Sequence, residues 1–111
     1  MTPEQRIEAM TGTEYMGQVK RLGCLCCRLR GIPDTPASAH HPRKFGGLRD
    51  LLDKWTIPLC EFHHTVGPEA IHRIRRRVEK VWGMSEQQMA EQTRKDVAAL
   101  LACDVRFAGS D

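Results

Sequence analysis

The apolar residues of this chain change their spacing along its length, and each change marks an element. Ile71, Ile74, Val78, Val81 and Trp82 recur at intervals of three and four, which predicts a helix ending at Gly83. Arg73, Arg76, Arg77 and Lys80 fall on its opposite face. Ser85-Glu86-Gln87-Gln88 has the spacing of a capping box and opens a further helix to about Leu101, with Met89, Val97, Leu100 and Leu101 inward. At the other end, Thr2, Pro3 and Gln5 make a helix start for residues 3–20. Its apolar positions Ile7, Met10, Val19 and Leu22 are sparse, and Gly12 and Gly17 weaken it, so two short pieces are expected rather than one rod.

Between these helical ends the pattern is shorter and broken by turn residues. Gly31-Ile32-Pro33-Asp34-Thr35-Pro36 reads as a turn or extended loop, and Pro42 and Gly46-Gly47 interrupt again. Residues 37–41 and 56–59 have the length of two strands of a small hairpin, with Pro58 placing the second at a sheet edge or strand end. Residues 48–55 fit one helical turn or a loop. The expected class is α+β, with a helical N-terminal appendage over 1–22, a site-bearing domain over 23–101 and a tail over 102–111, frayed from Cys103.

Composition limits what such a domain can rest on. The chain has 111 residues, 41% hydrophobic and 5% aromatic, so burial alone would hold it weakly, and a structural metal is a common remedy at this size. No run approaches a membrane span, and the N-terminus lacks an apolar stretch with a cleavage site. Three of the five cysteines lie within four positions, a poor disulfide framework and a good metal framework, which points to a reducing, cytoplasmic setting.

The net charge of +3 is unevenly spread. Residues 1–19 carry −2, residues 20–82 carry +7 from thirteen Lys/Arg against six Asp/Glu, and residues 83–111 carry −2. The basic middle coincides with the candidate ligands and points to a polyanion, with nucleic acid foremost. A well-solvated surface is the plainer reading of the same charge.

The candidate ligands fall into two short pairs with a doublet between them. Cys24 and Cys27 form a C-x-x-C, Cys60 and His63 a C-x-x-H followed at once by His64, and His40-His41 lies between. Cys24, Cys27, Cys60 and His63 make the best structural zinc set, since two such pairs close tetrahedrally on one ion. Cys26 faces away from that centre, and Cys103 is an ordinary thiol. His64 points to the other side of its helix from His63, toward a strand bearing His40 and His41. Neighbours on a strand face opposite ways, so one of that doublet can share a second metal with His64 while the other stays free as a base. His72 is a third ligand, a phosphate contact or a solvent-facing helical residue. With basic groups nearby, these residues suggest metal-assisted phosphodiester hydrolysis.

The order C-x-x-C, Ala39-His40-His41-Pro42, then Ile57-Pro58-Leu59-Cys60-x-x-His63-His64 resembles the HNH endonucleases of the ββα-metal (His-Me finger) type. More narrowly, residues 23–101 resemble the phage recombination-enhancement, RecA-dependent (Ref-type) nucleases; His64-Thr65-Val66-Gly67-Pro68 through Ile71-His72-Arg73 is similar to their pattern. The resemblance implies a zinc-braced ββα-metal unit with additional helices. It assigns His40 and His64 to a catalytic divalent cation (Mg2+, Mn2+ or Zn2+), with His72 beside them. His41 becomes the base, and Cys24, Cys27, Cys60 and His63 the structural zinc set. It further implies DNA as substrate, a RecA filament as partner, and a phage or prophage gene expressed in a bacterial cell. Arg43, Lys44, Arg73, Arg76 and Arg77 are the candidate phosphate contacts. The asparagine of the HNH pattern is missing, since the chain contains no Asn, and Asp53 or Thr56 is the candidate replacement. Two other readings use the same residues: a non-catalytic zinc-stabilised DNA-binding module, and a zinc-stabilised protein-interaction domain presenting helices 71–82 and 85–101.

Overall fold

Two threonine caps start the chain. Thr2 and Gln5 exchange hydrogen bonds at 3.1 and 2.7 Å to begin α1 (Pro3–Ala9). Thr11 and Glu14 repeat the exchange, both at 3.1 Å, to begin α2 (Gly12–Arg21). The second box, with Met10 extended before it, is the physical reason for two helices instead of one. The computed structural model describes residues 1–42 and 52–108. Arg43 and Lys44, the first half of 48–55 and the last three residues of the expected tail lie outside the described residues.

After α2 come α3 (Leu25–Leu29), β1 (Ser38–His40) and β2 (Ile57–Leu59), the strands pairing antiparallel as Ser38 with Leu59, Ala39 with Pro58 and His40 with Ile57. A two-stranded sheet has only edges, so Pro58 sits in it without needing a ladder donor. A π-helical turn, Phe62–Val66, follows β2, then α4 (Ile71–Ile74), a 3-10 turn (Arg75–Arg77), α5 (Val78–Trp82) and α6 (Glu86–Ala108).

The periodic stretch 71–82 is therefore not one helix. Arg75 takes φ 48°, ψ −102°, and the chain passes through a 3-10 turn before Val78. Ile74, Val78 and Trp82 are buried on either side of that turn, so the break keeps both halves on the core. Ser85 and Gln88 form the expected box at 2.8 and 3.1 Å, but α6 runs past Leu101 to Ala108 instead of fraying at Cys103.

α6 joins two apolar clusters. Its first turns bring Met89 and Ala90 against Leu25, Cys26, Ile57, Leu59, Ile71 and Trp82. Further along, Val97, Ala98 and Leu101 pack on Ile7, Tyr15 and Val19, so the first 22 residues share a core with α6. Tyr15 is fully buried there, whereas Leu100 is only part-buried. Thr93, buried between the clusters, satisfies its hydroxyl on the Met89 carbonyl at 2.8 Å. Each fully buried Ile, Leu or Met contributes about 1.5–3 kcal/mol. Among the described residues, no helix is long and apolar enough to cross a membrane.

Candidate metal centres and a histidine–aspartate pair

The C-x-x-C sits where α3 begins. Cys24 caps the helix, its Sγ 3.4 Å from the Cys27 amide, and its own N–H reaches the Thr35 carbonyl at 2.9 Å. Gly23 feeds the chain into this position with φ +74°, and a Cβ there would stand 3.2 Å from the Thr35 carbonyl oxygen. Both cysteine side chains consequently turn toward the end of β2, where Cys60 follows Leu59.

Cys24, Cys27, Cys60 and His63 bring their ligand atoms to one point. His63 Nδ1 lies 3.6, 3.4 and 3.3 Å from the sulfurs of Cys24, Cys27 and Cys60, and the Cys27 and Cys60 sulfurs are 3.8 Å apart. A tetrahedral ion with metal–sulfur bonds of about 2.3 Å gives S···S edges of about 3.8 Å and S···N edges of about 3.6 Å. The donors fit a closed four-coordinate metal ion. Burial pushes the Cys24 thiol up to about 11. Burial acts on Cys60 in the same sense, but amide donors from His63 and Phe62 and the neighbouring thiols outweigh it, leaving a net lowering. Cys26 is also buried but is not among the four converging donors. The wall beside His63 is Trp82, edge-on at 5.3 Å, its indole N–H on the Glu69 carbonyl and its face covered by Arg30 at 4.4 Å.

The π-helical turn separates the two adjacent histidines. Its wider pitch closes with the Gly67 N–H on the Phe62 carbonyl at 2.8 Å. A Cβ on Gly67 would lie 2.6 Å from that oxygen, so the turn requires glycine. His63 faces the thiols, and His64 faces the hairpin and α4.

There a second group converges: His40 from β1, His64 from the π turn and His72 from α4. His64 Nε2 is 3.0 Å from His40 Nδ1 and 3.0 Å from His72 Nε2. Burial lowers the His64 pKa, and the charges that His40 and His72 would carry lower it further, so its nitrogen is held as a neutral donor. His40 is buried, His64 half-buried and His72 exposed, which leaves one side of the cluster open to solvent. Three imidazoles with an open side fit a metal ion that keeps exchangeable positions. The far nitrogen of His40, Nε2, bonds Glu86 Oε1 at 2.8 Å.

His41 is not in this group. One residue past the end of β1, its Nε2 bonds Asp53 Oδ1 at 2.6 Å, with the imidazole 45% exposed and the carboxylate buried. Thr56 donates to the Asp53 main-chain carbonyl at 3.0 Å. Asp53 and Thr56 thus act together just before β2: the Asp53 carboxylate binds the imidazole, and Thr56 holds Asp53 in place. Arg73, Arg76 and Arg77 are all exposed, as is Arg75. Glu86 was legible only as part of a helix start, since its partner lies 46 residues away.

Residues 10–105 match the family described as recombination enhancement, RecA-dependent nuclease. No curated protein matches the chain, and no solved structure does.

Proposed function

The chain belongs to the family of recombination-enhancement, RecA-dependent nucleases, and from that premise we propose that it is a metal-dependent DNA endonuclease of the HNH, ββα-metal type with His41 as general base. The observation that carries this reading is the pairing of His41 with Asp53 alongside three converging imidazoles that exclude His41. A carboxylate only accepts hydrogen bonds, so Asp53 takes the Nε2–H and leaves the His41 Nδ1 lone pair for water. The half-exposed ring meets solvent, while the buried carboxylate steadies the imidazolium formed when a proton is taken.

His40, His64 and His72 would hold a divalent cation, which would supply positive charge near the leaving phosphodiester oxygen. Cys24, Cys27, Cys60 and His63 hold a structural zinc that braces the hairpin against α3. Arg73, Arg76 and Arg77 grip backbone phosphate, which gives affinity with little sequence preference; Arg43 and Lys44 remain part of that proposal from sequence. The family description makes a RecA filament the expected partner, and a phage or prophage origin in the bacterial cytoplasm accords with the resemblance.

The test is nicking of supercoiled plasmid with Mg2+, Mn2+ or Zn2+, with and without RecA filaments. Wild type is expected to nick, and His41→Ala to lose about 10²–10⁴-fold in rate while keeping its zinc. If wild type and variant are equally active, His41 is not the base. If both are inert with every metal and with RecA yet retain DNA in a salt-dependent way, the chain is a zinc-stabilised binding module.

A further inference from the structure

We infer that Glu86 is a positioning residue for the three-imidazole site, fixing the tautomer and orientation of His40; this rests on reading that cluster as a cation site. The geometry is directional. Glu86 Oε1 lies 2.8 Å from His40 Nε2, and His40 Nδ1, across the ring, lies 3.0 Å from His64 Nε2. An ionised carboxylate can only accept, so the Nε2 it faces must carry the hydrogen. Nδ1 then presents its lone pair to the point where His64 and His72 also converge. The opposite tautomer would set a lone pair against a carboxylate and aim an N–H into the ligand cluster.

The surroundings make this contact hard to relax. His40 is 3% exposed and belongs to a strand paired with buried β2, so its ring has no free solvent side. Glu86 is the first residue of α6, whose start is fixed by the reciprocal Ser85–Gln88 bonds and by fully buried Met89 one turn on. The carboxylate is therefore held by a 23-residue helix and not by a loop. Three neutral imidazoles bring no formal charge to a cation, and Glu86 places a negative charge one ring behind them. A hydrogen-bonded carboxylate behind a ligating histidine raises its basicity and fixes its ring, and removing such a partner costs about 10–100-fold in metal affinity.

An acid at a helix start also interacts favourably with the helix dipole, and a purely local role of that kind is the competing explanation. Full-length protein with zinc in the Cys/His centre, titrated with Co2+ against a chromophoric chelator, separates the two. Wild type is expected to take up one Co2+ at the imidazole cluster. Glu86→Ala should bind it about 10–100-fold more weakly, with the zinc retained. Glu86→Gln, whose amide oxygen can still accept from Nε2–H, should recover part of that loss. Imidazole nitrogen spectra of the same proteins before Co2+ is added should show His40 as the Nε2–H tautomer in wild type and a mixture in Glu86→Ala. Unchanged Co2+ affinity in Glu86→Ala, equal weakening in both variants, or an Nδ1–H tautomer in wild type overturns the inference. Failure of wild type itself to bind Co2+ overturns instead the cation-site reading beneath it.

Discussion

Asp53 accepts a 2.6 Å hydrogen bond from His41 while its own main-chain carbonyl accepts one from Thr56, so side chain and backbone of one residue are both engaged in the stretch that leads into β2. Asp53→Ala removes the carboxylate that holds the His41 ring and, in the proposed mechanism, selects its tautomer. Plasmid nicking should fall by about 10²-fold or more, with zinc content unchanged. Thr56→Val keeps the shape but removes the buried hydroxyl's bond to the Asp53 carbonyl, at about 1–2 kcal/mol in stability. Its nicking should drop far less than that of Asp53→Ala. Equal activity in Asp53→Ala and wild type would remove Asp53 from the mechanism.

The cysteines of the C-x-x-C and the one between them should separate cleanly. Cys24→Ser is expected to lose the structural ion and a large share of the protein's stability, because the ion's binding free energy is folding free energy. Cys26→Ala removes a small buried group outside the ligand cluster and should retain one equivalent of zinc with at most a modest loss of stability. Zinc content by a colorimetric chelator and a thermal melt read both, and zinc loss in Cys26→Ala would refute the assignment.

Arg94 ties α1 to the segment bearing Asp53. It reaches Glu8 Oε1 at 2.6 Å and the Lys54 carbonyl at 3.2 Å, and lies over the Trp55 ring at 4.5 Å, while Lys54 Nζ bonds the Glu8 carbonyl at 2.9 Å. The Glu8 carboxylate is largely exposed, so its ion pair adds little, and the ring contact and carbonyl bond carry most of the effect. Arg94→Ala should cost about 1–2 kcal/mol by urea denaturation. Deleting residues 1–10 should lower nicking as well as stability, since Lys54 is next to Asp53. Nicking at the wild-type rate in the deletion would show that α1 does not support the site.

The metal-free protein should weaken on the acid side. Burial lowers the pKa of His63, assisted by the Arg30 charge, and burial with the charges of His40 and His72 lowers that of His64, both from 6.5. The unfolded chain therefore binds more protons in that range. Stability is complete above about pH 6.5 and is lost as pH falls through the depressed folded-state values. Urea midpoints with a chelator present should fall from pH 7.5 to pH 5.5. A smaller fall is expected in His64→Gln, and a flat profile in wild type would contradict the burial of these rings.

How much of this was legible in the sequence depended on range. The four-donor Cys/His cluster could be read because the thiols of a C-x-x-C leave few other uses for themselves, and the hairpin because turn residues bound both strands. The break between α1 and α2 is expected from the sparse apolar pattern and the glycines, but that reading misses the capping box that fixes it, Thr11-x-x-Glu14. Tyr15 belongs to that hidden core. The kink at Arg75 had no local signal, because Ile71, Ile74, Val78 and Trp82 suit an unbroken helix equally well. The partnership of His40 with Glu86 depends on packing α6 across the hairpin, which no window of neighbouring residues contains.

The single π turn carrying both His63 and His64 has a consequence for how the protein matures. Any ion that orders one histidine also immobilises the backbone of the next, so the second ligand set starts with less freedom to lose. Linkage makes that help mutual. On the proposed two-metal reading, scarcity of one metal would be felt as weak capture of the other, and activity would require that both supplies suffice.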